Sequence, residues 1–355
     1  MQRIRQFGWR TAIVAVMITA SGTLQAQDAP KVTVGGVGYV HFRYQLDADS
    51  SLNPAAHQNN FDVDRSYITV SGRLRDGIST RVTVDVDGRD ATDALTMRLK
   101  YAYLAWQPSG SPLTAKLGMI QTPLVDFIET LWGYRMQGTV AMDRNRYLTS
   151  SDFGLSVDGA WSDDRVNATA GIYNGEGYSR EPGDHRKDVA ARVSVQLMPS
   201  DTTGKTAGLR VTGFGHYGRA TGGGLRSRYV GMLSYQSKRL TVGAEYGVTS
   251  DSTAVDSPET RGRVISAYGV YRPAGSRLAL LGRYDQVDAD TDIDPTGPDL
   301  STGVRTRVIA GVSYQMTPDV RILVDADLLS LEHGSPNNAF NATRRTLFLH
   351  TEFKF

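Results

Sequence analysis

Three things are missing from this chain of 355 residues. It has no cysteine, so an exported form could not rely on disulfides, and zinc motifs built on thiolates are closed to it. It has no apolar run long enough for a membrane helix. Even TAIVAVMITASGTL at residues 11–24 falls short of the ~20 residues a helical span needs. And it lacks a surplus of either charge, with 39 Lys and Arg against 37 Asp and Glu, which gives no footing to nucleic acid or to any acidic partner.

What is present begins with an export leader. Arg3, Arg5 and Arg10 precede the short apolar run, and Leu24-Gln25-Ala26 supplies a small-residue cleavage site. This layout predicts a secretory signal peptide over residues 1–26 and a mature chain over 27–355. Losing the three leader arginines takes Lys and Arg from 39 to 36 against 37 acids, so the mature chain sits near −1. An exported chain without a membrane helix can still cross a bilayer as a closed β-barrel, in which every backbone polar group is paired.

Period-two alternation recurs from residue 32 to the end. Ile78, Thr80, Val82, Val84 and Val86 take one face, and Ser79, Arg81, Thr83, Asp85 and Asp87 the other. The same pattern predicts strands near 32–46, 61–75, 78–87, 94–107, 113–119, 152–161, 165–174, 187–198, 207–217, 226–237, 239–250, 261–272, 276–287, 304–316, 320–332 and 343–355. Most reach the ~9–11 residues of a tilted transmembrane strand. Short turns at Asp76-Gly77, Pro108 to Pro112, Ser162 to Asp164, Ser237-Lys238, Pro273 to Gly275 and Thr317 to Asp319 alternate with longer polar loops near 47–60, 175–186, 251–260, 288–303 and 333–342. Long connections at one end only belong to an all-β transmembrane barrel of about sixteen antiparallel strands, not to a soluble sandwich. Tyr101, Trp106, Trp161, Tyr217, Tyr235, Tyr271 and Tyr314 suit aromatic girdles. The last strand alternates and ends on Phe355, a terminal aromatic that reads as the tag for the barrel-assembly machinery of a Gram-negative-type outer membrane.

Residues 120–151 break the alternation and fall at the third long connection. They are rich in Phe, Leu, Trp, Tyr and Met, so disorder is disfavoured. The segment reads as a constriction loop folded into the lumen, with an outer loop packed on a neighbouring subunit as the alternative.

At this point the chain resembles the phosphate-selective porins O and P. FDVDRSYITVSGRLRDGISTRVTVDVD, with Arg65 at the characteristic arginine, is similar to the family's early hairpin. LKYAYLAWQPSGSPLTAKLGMIQTPL resembles the next, leading into Gly118 and Pro123. Glu129, DRNRYL at 143–148, DFGLSVDGAW at 152–161 and IYNGEG at 172–177 follow in the family's order. The likeness covers roughly residues 36–200. It implies a sixteen-stranded, trimeric outer-membrane porin with the third loop folded into the pore; the family's phosphate selectivity does not carry over with it. The family's lumenal arginine ladder and lysine cluster are not matched residue by residue.

On the polar strand faces stand twelve basic residues: Arg81, Arg98, Lys100, Arg192, Arg210, Arg226, Arg228, Arg283, Arg305, Arg307, Arg321 and Arg344. Seven acids stand with them: Asp85, Asp87, Asp158, Asp285, Asp325, Asp327 and Glu352. That excess predicts a lumen leaning positive and a mild anion preference. Within the loop, Arg135, Arg144 and Arg146 oppose Asp126, Glu129 and Asp143, a set that predicts a transverse field at the constriction. Six histidines lack metal spacing, so neither metal nor cofactor is expected. No Gly-x-Ser-x-Gly occurs. A barrel phospholipase would need a pair such as His216 and Ser227 on one face, and a non-conducting structural barrel would have its lumen plugged. The reading is a passive pore rather than an enzyme.

Overall fold

The computed structural model describes residues 31–48, 58–89, 94–181, 183–292, 304–331 and 344–355. The leader expected at 1–26, and most of the loops expected near 47–60, 288–303 and 333–342, lie outside the described residues.

Sixteen antiparallel strands close into one barrel: β1 (Lys31–Ala48), β2 (Asn59–Arg73), β3 (Ile78–Arg89), β4 (Leu95–Trp106), β5 (Leu113–Gln121), β6 (Ser151–Trp161), β7 (Val166–Tyr173), β8 (Asp188–Met198), β9 (Gly208–Arg219), β10 (Leu225–Gln236), β11 (Leu240–Asp251), β12 (Thr260–Tyr271), β13 (Leu278–Asp288), β14 (Arg305–Gln315), β15 (Val320–Leu331) and β16 (Arg344–Lys354). Each pairs with its sequence neighbours, and β1 with β16. Every boundary falls within two residues of the alternation's expectation. One asymmetry is weaker than the sequence suggests. At the end that holds the termini, the β8–β9 connection over 199–207 is longer than the β9–β10 connection over 220–224 at the other end.

Closure follows from the end strands. The Gly36 amide donates to the Phe355 carbonyl at 2.9 Å, and the Phe355 amide donates back to Gly36 at 3.2 Å. A Cβ on Gly36 or Gly38 would sit 2.2–2.3 Å from the ring of Phe355 or Phe353. The glycine run VTVGGVGYV therefore clears the outer surface for the two rings, as aromatic cover does for exposed strand glycines.

The outer face is greasy. Val34, Met97, Leu117, Leu155, Leu233 and Val324 are all at least half exposed, which in water would be an aggregation surface and in lipid is a belt. Trp106, Trp161, Tyr217, Tyr271 and Tyr314 are exposed near strand ends. Tyr101 is not. Between the pairs Thr83–Tyr101 and Val84–Leu99 the register slips, leaving Lys100 as an extra residue. At this bulge two consecutive side chains, Lys100 and Tyr101, both become buried inside the barrel. The expected girdle role of Tyr101 is thus corrected. Alternation carried past a one-residue bulge assigns the wrong face.

The third loop, 122–150, folds inward. Helix α1 (Val125–Trp132) buries Val125, Phe127, Ile128, Leu131 and Trp132, and ends on Gly133 in the left-handed region at φ 68°, where glycine costs least. A 3-10 turn (Arg135–Gln137) and α2 (Ala141–Arg144) follow. Trp132, Tyr134, Met136, Val140 and Met142 join lumenal residues of β10–β15, such as Met232, Tyr268, Ile309 and Leu323, in one dry core. Each large side chain so buried contributes roughly 1.5–3 kcal/mol.

Candidate functional site

A loop buried in a lumen carries backbone carbonyls that water no longer reaches, and each needs a donor. Four wall arginines supply them. Arg192 on β8 donates to the Pro123 carbonyl at 3.0 Å, Arg228 on β10 to Tyr147 at 3.1 Å, Arg283 on β13 to Thr139 at 2.9 Å, and Arg321 on β15 to Gly133 at 2.6 Å. Each guanidinium also lies over a ring of the same loop, 4.4 Å from Phe127, 5.3 Å from Tyr147, 5.7 Å from Trp132 and 4.2 Å from Tyr134. Hydrogen bond and cation–π contact together pin the loop along its length.

All twelve basic residues named from the sequence stand on the inner side of the sheet, yet the structure divides them. Arg192, Arg228, Arg283 and Arg321 hold the loop. Arg210 is fully buried and bonded to the Ser194 hydroxyl and the Ala207 carbonyl. Arg98 is paired with Asp85 and Asp87, Arg226 with Asp188 at 2.9 Å and Arg307 with Asp327 at 2.6 Å. Arg305 and Arg344 meet Arg144 and Arg307 around a cavity of about 60 Å³. Arg81 and Lys100 have no carboxylate partner among the described residues: Arg81 donates to the Thr83 hydroxyl and Lys100 to the Tyr67 hydroxyl, each at 3.0 Å.

The loop charges are not opposed as a set of six. Arg135 pairs with Glu129 at 2.8 Å, inside the loop itself. Asp126 pairs with Lys205 of the β8–β9 connection. Thr139 bridges Glu129 and Asp143 through its hydroxyl. Arg144 turns to the wall, donating to Gln137 Oε1 at 3.0 Å and facing Asp327 at 3.7 Å. Arg146, at φ 62°, lines the cavity at the loop end. Opposition runs instead between loop carboxylates and wall cations, with Asp126 and Glu129 across a cavity from Arg81 and Lys100, and Asp143 across a second one from Arg65 and Arg98. Arg65 was not among the expected lumenal residues; only its place in the quoted hairpin marked it. It bonds the Tyr67 hydroxyl at 3.1 Å and pairs with Asp85 and Asp87.

The environment sets the loop's titration. Burial pushes Asp143 up. Burial also raises Asp126, but the charge and hydrogen bond of Lys205 outweigh it and hold the carboxyl below the usual range. Burial, then the neighbouring Arg307 and Arg283, pushes Arg144 down.

Along the β1–β8 side the lumen stays open. A cavity of about 590 Å³ lies at the loop end, one of about 290 Å³ at the other, and both are walled by Thr122 and Pro123. A third, of about 570 Å³, shares Asp126 with the second. His216 bonds Asp188 at 2.9 Å on the lumenal face, while Ser227 pairs with the outward Tyr217. The His–Ser pairing that a barrel lipase would need is therefore not assembled.

Scans against family models and curated protein sequences find no match. Solved structures do match. OmpF of Salmonella typhi superposes with a TM-score of 0.67 at 12% identity, covering 91% of this chain and 97% of that one. An anion-selective porin from Comamonas acidovorans gives 0.65 at 12%, covering 92% and 100%. The outer membrane channel DcaP of Acinetobacter baumannii gives 0.63 at 11%, covering 92% and 97%. The chain has the fold of the outer-membrane porins. An inward third loop and an apolar belt around a closed sixteen-stranded barrel make it a membrane barrel of the outer-membrane type.

Proposed function

We propose that this protein is a passive diffusion channel of the outer membrane for small polar solutes, with a mild preference for anions. One observation carries the reading: the inward loop packs dry mainly against β10–β15, and the cavities left toward β1–β8 are lined by charge. Rings of lumenal arginine and lysine favour anions in a pore, and here Arg81 and Lys100 keep donors to spare. The four-arginine cavity of Arg144, Arg305, Arg307 and Arg344 would suit an oxyanion, in keeping with the resemblance to the phosphate-selective porins. On the same reading the chain is exported by its leader, delivered through Phe355 to the assembly machinery, and works as a homotrimer.

Planar bilayers test it. The purified protein should insert, conduct potassium chloride ohmically, and give a reversal potential on the chloride side under a salt gradient. Insertion without conductance would leave a structural barrel, and a potential on the potassium side would remove the anion preference.

A further inference from the structure

The bulge in β4 places Lys100 in an unusual position. Its side chain is 3% exposed, its amine bonds the Tyr67 hydroxyl at 3.0 Å, and it lies 4.7 Å from the Tyr67 ring centre and 5.7 Å from that of Tyr101. The Arg81 guanidinium lies 4.6 Å from the centre of the Tyr101 ring as well. Both cations line the 570 Å³ cavity between loop and wall. The carboxylates that also line it are already engaged, Glu129 by Arg135 and Asp126 by Lys205. Lys354 at its edge is held by Glu352 at 3.1 Å. Arg65, on the far side of the Tyr67 hydroxyl, is neutralised by Asp85 and Asp87. What remains is two cations with no carboxylate in contact, facing Asp126 and Glu129 only across the cavity, and charge so placed is costly unless an anion joins it.

The surroundings say which anion. Tyr39 and Tyr67 meet edge to face at 6.1 Å, and with Tyr101 they make three buried rings in one wall. A hydrated inorganic ion gains nothing from ring edges, whereas a flat apolar body does. The volume is that of small-molecule sites and far above what a single oxyanion fills. We propose that this cavity is a binding station for organic anions with a planar apolar body, of the aromatic carboxylate class. The carboxylate would sit between Arg81 and Lys100, and the ring against Tyr39, Tyr67 and Tyr101. This deepens the channel reading and rests on it for the site's access to solute.

The test uses the full-length purified protein in bilayers with benzoate, acetate, inorganic phosphate and benzyl alcohol as probes. Chloride current without any probe tests the channel reading by itself. Benzoate should block that current at a concentration about tenfold below acetate, because the ring adds roughly 1.4 kcal/mol of contact, and also below phosphate and neutral benzyl alcohol. Arg81→Leu and Lys100→Met should each raise the half-blocking concentration of benzoate about tenfold, the cost of one charge-assisted bond. Arg261→Ala, on an exposed strand end, should leave it alone. Benzoate no better than acetate, or matched by phosphate, overturns the proposal. Should no current flow, the channel reading fails and calorimetric titration of benzoate into the detergent-solubilised protein decides the site: saturable binding weakened in Arg81→Leu upholds it, and its absence overturns it.

Discussion

The two halves of the barrel wall carry the same residue types and use them differently. From β8 to β15, Arg192, Arg228, Arg283 and Arg321 face inward and spend their donors on carbonyls of the third loop. From β2 to β4, Arg81 and Lys100 face inward too, but their partners are a threonine hydroxyl, a tyrosine hydroxyl and ring faces. On the proposed channel reading, a lumenal cation acts on the solute only when a donor is left free for it. The first wall fixes the shape of the lumen, and the second sets its charge.

The largest effect should come from breaking the first wall. Arg283 and Asp285 are almost fully buried and 2.8 Å apart, and Arg283 also holds the Thr139 carbonyl at 2.9 Å. Arg283→Ala strands a buried carboxylate, a loss of about 3–5 kcal/mol. The barrel should still close, since its ladder is untouched. The loop should become open to trypsin at Arg135 and Arg144, and single-channel conductance should rise. Arg283→Met with Asp285→Asn removes the ion pair without leaving a charge behind; about 1–3 kcal/mol of loosening should persist from the orphaned carbonyl. If that double variant resists trypsin like the parent, the carbonyl contacts do not hold the loop and the comparison of walls fails.

A smaller effect sharpens the second wall. Lys100→Glu should lower the anion-to-cation permeability ratio about five- to tenfold, as a charge reversal worth roughly 1–1.4 kcal/mol at an effective dielectric constant near 20. Arg210→Gln, equally basic in a tally of charges, should change the ratio by less than about twofold, because its guanidinium is sealed off and bonded to protein oxygens. Equal shifts in reversal potential for the two variants would mean that lumenal charge acts as a sum, whatever its partners.

The difference between the walls also marks where sequence reasoning ends. Alternation places the sixteen strands and puts all twelve basic residues on the inner face, because the side-chain period of a strand is a local property. The loop stands out because its apolar residues ignore that period. The arginine clamps are illegible because their acceptors are backbone carbonyls, which every residue has. The Lys100–Tyr101 bulge is illegible for another reason: it exists only as a mismatch between β3 and β4, and neither strand shows it alone. Arg65 escapes the tally in the same way, since β1 passes from Arg65 to Val63 and leaves Asp64 unpaired in its own register slip.

The smallest expected effect concerns a tether that joins the loop to neither wall directly. Asp126, in the first turn of α1, pairs with Lys205 in the β8–β9 connection, and both side chains are more than a third exposed. Such a pair contributes about 0–1 kcal/mol. Because Lys205 holds the Asp126 carboxyl below the usual carboxylate range, its contribution is complete above the unfolded value near ~3.9 and fades only as pH falls through the lower folded value. Asp143 behaves oppositely: burial pushes it up, so it takes its proton first as pH drops. Open-channel current noise, which reports loop motion, should then change in two steps as pH falls: an upper one, a decrease as the buried Asp143 carboxylate is neutralised, and a lower one, an increase as Asp126 loses its ion pair. Asp143→Asn should erase the upper step, and Asp126→Asn should give the noise of the lower step at every pH. The Arg283 clamp, whose acceptor is a carbonyl, should contribute no step of its own. A parent channel equally quiet at pH 3 and pH 7 would show that the clamps alone immobilise the loop and that the ion pair at its start holds nothing.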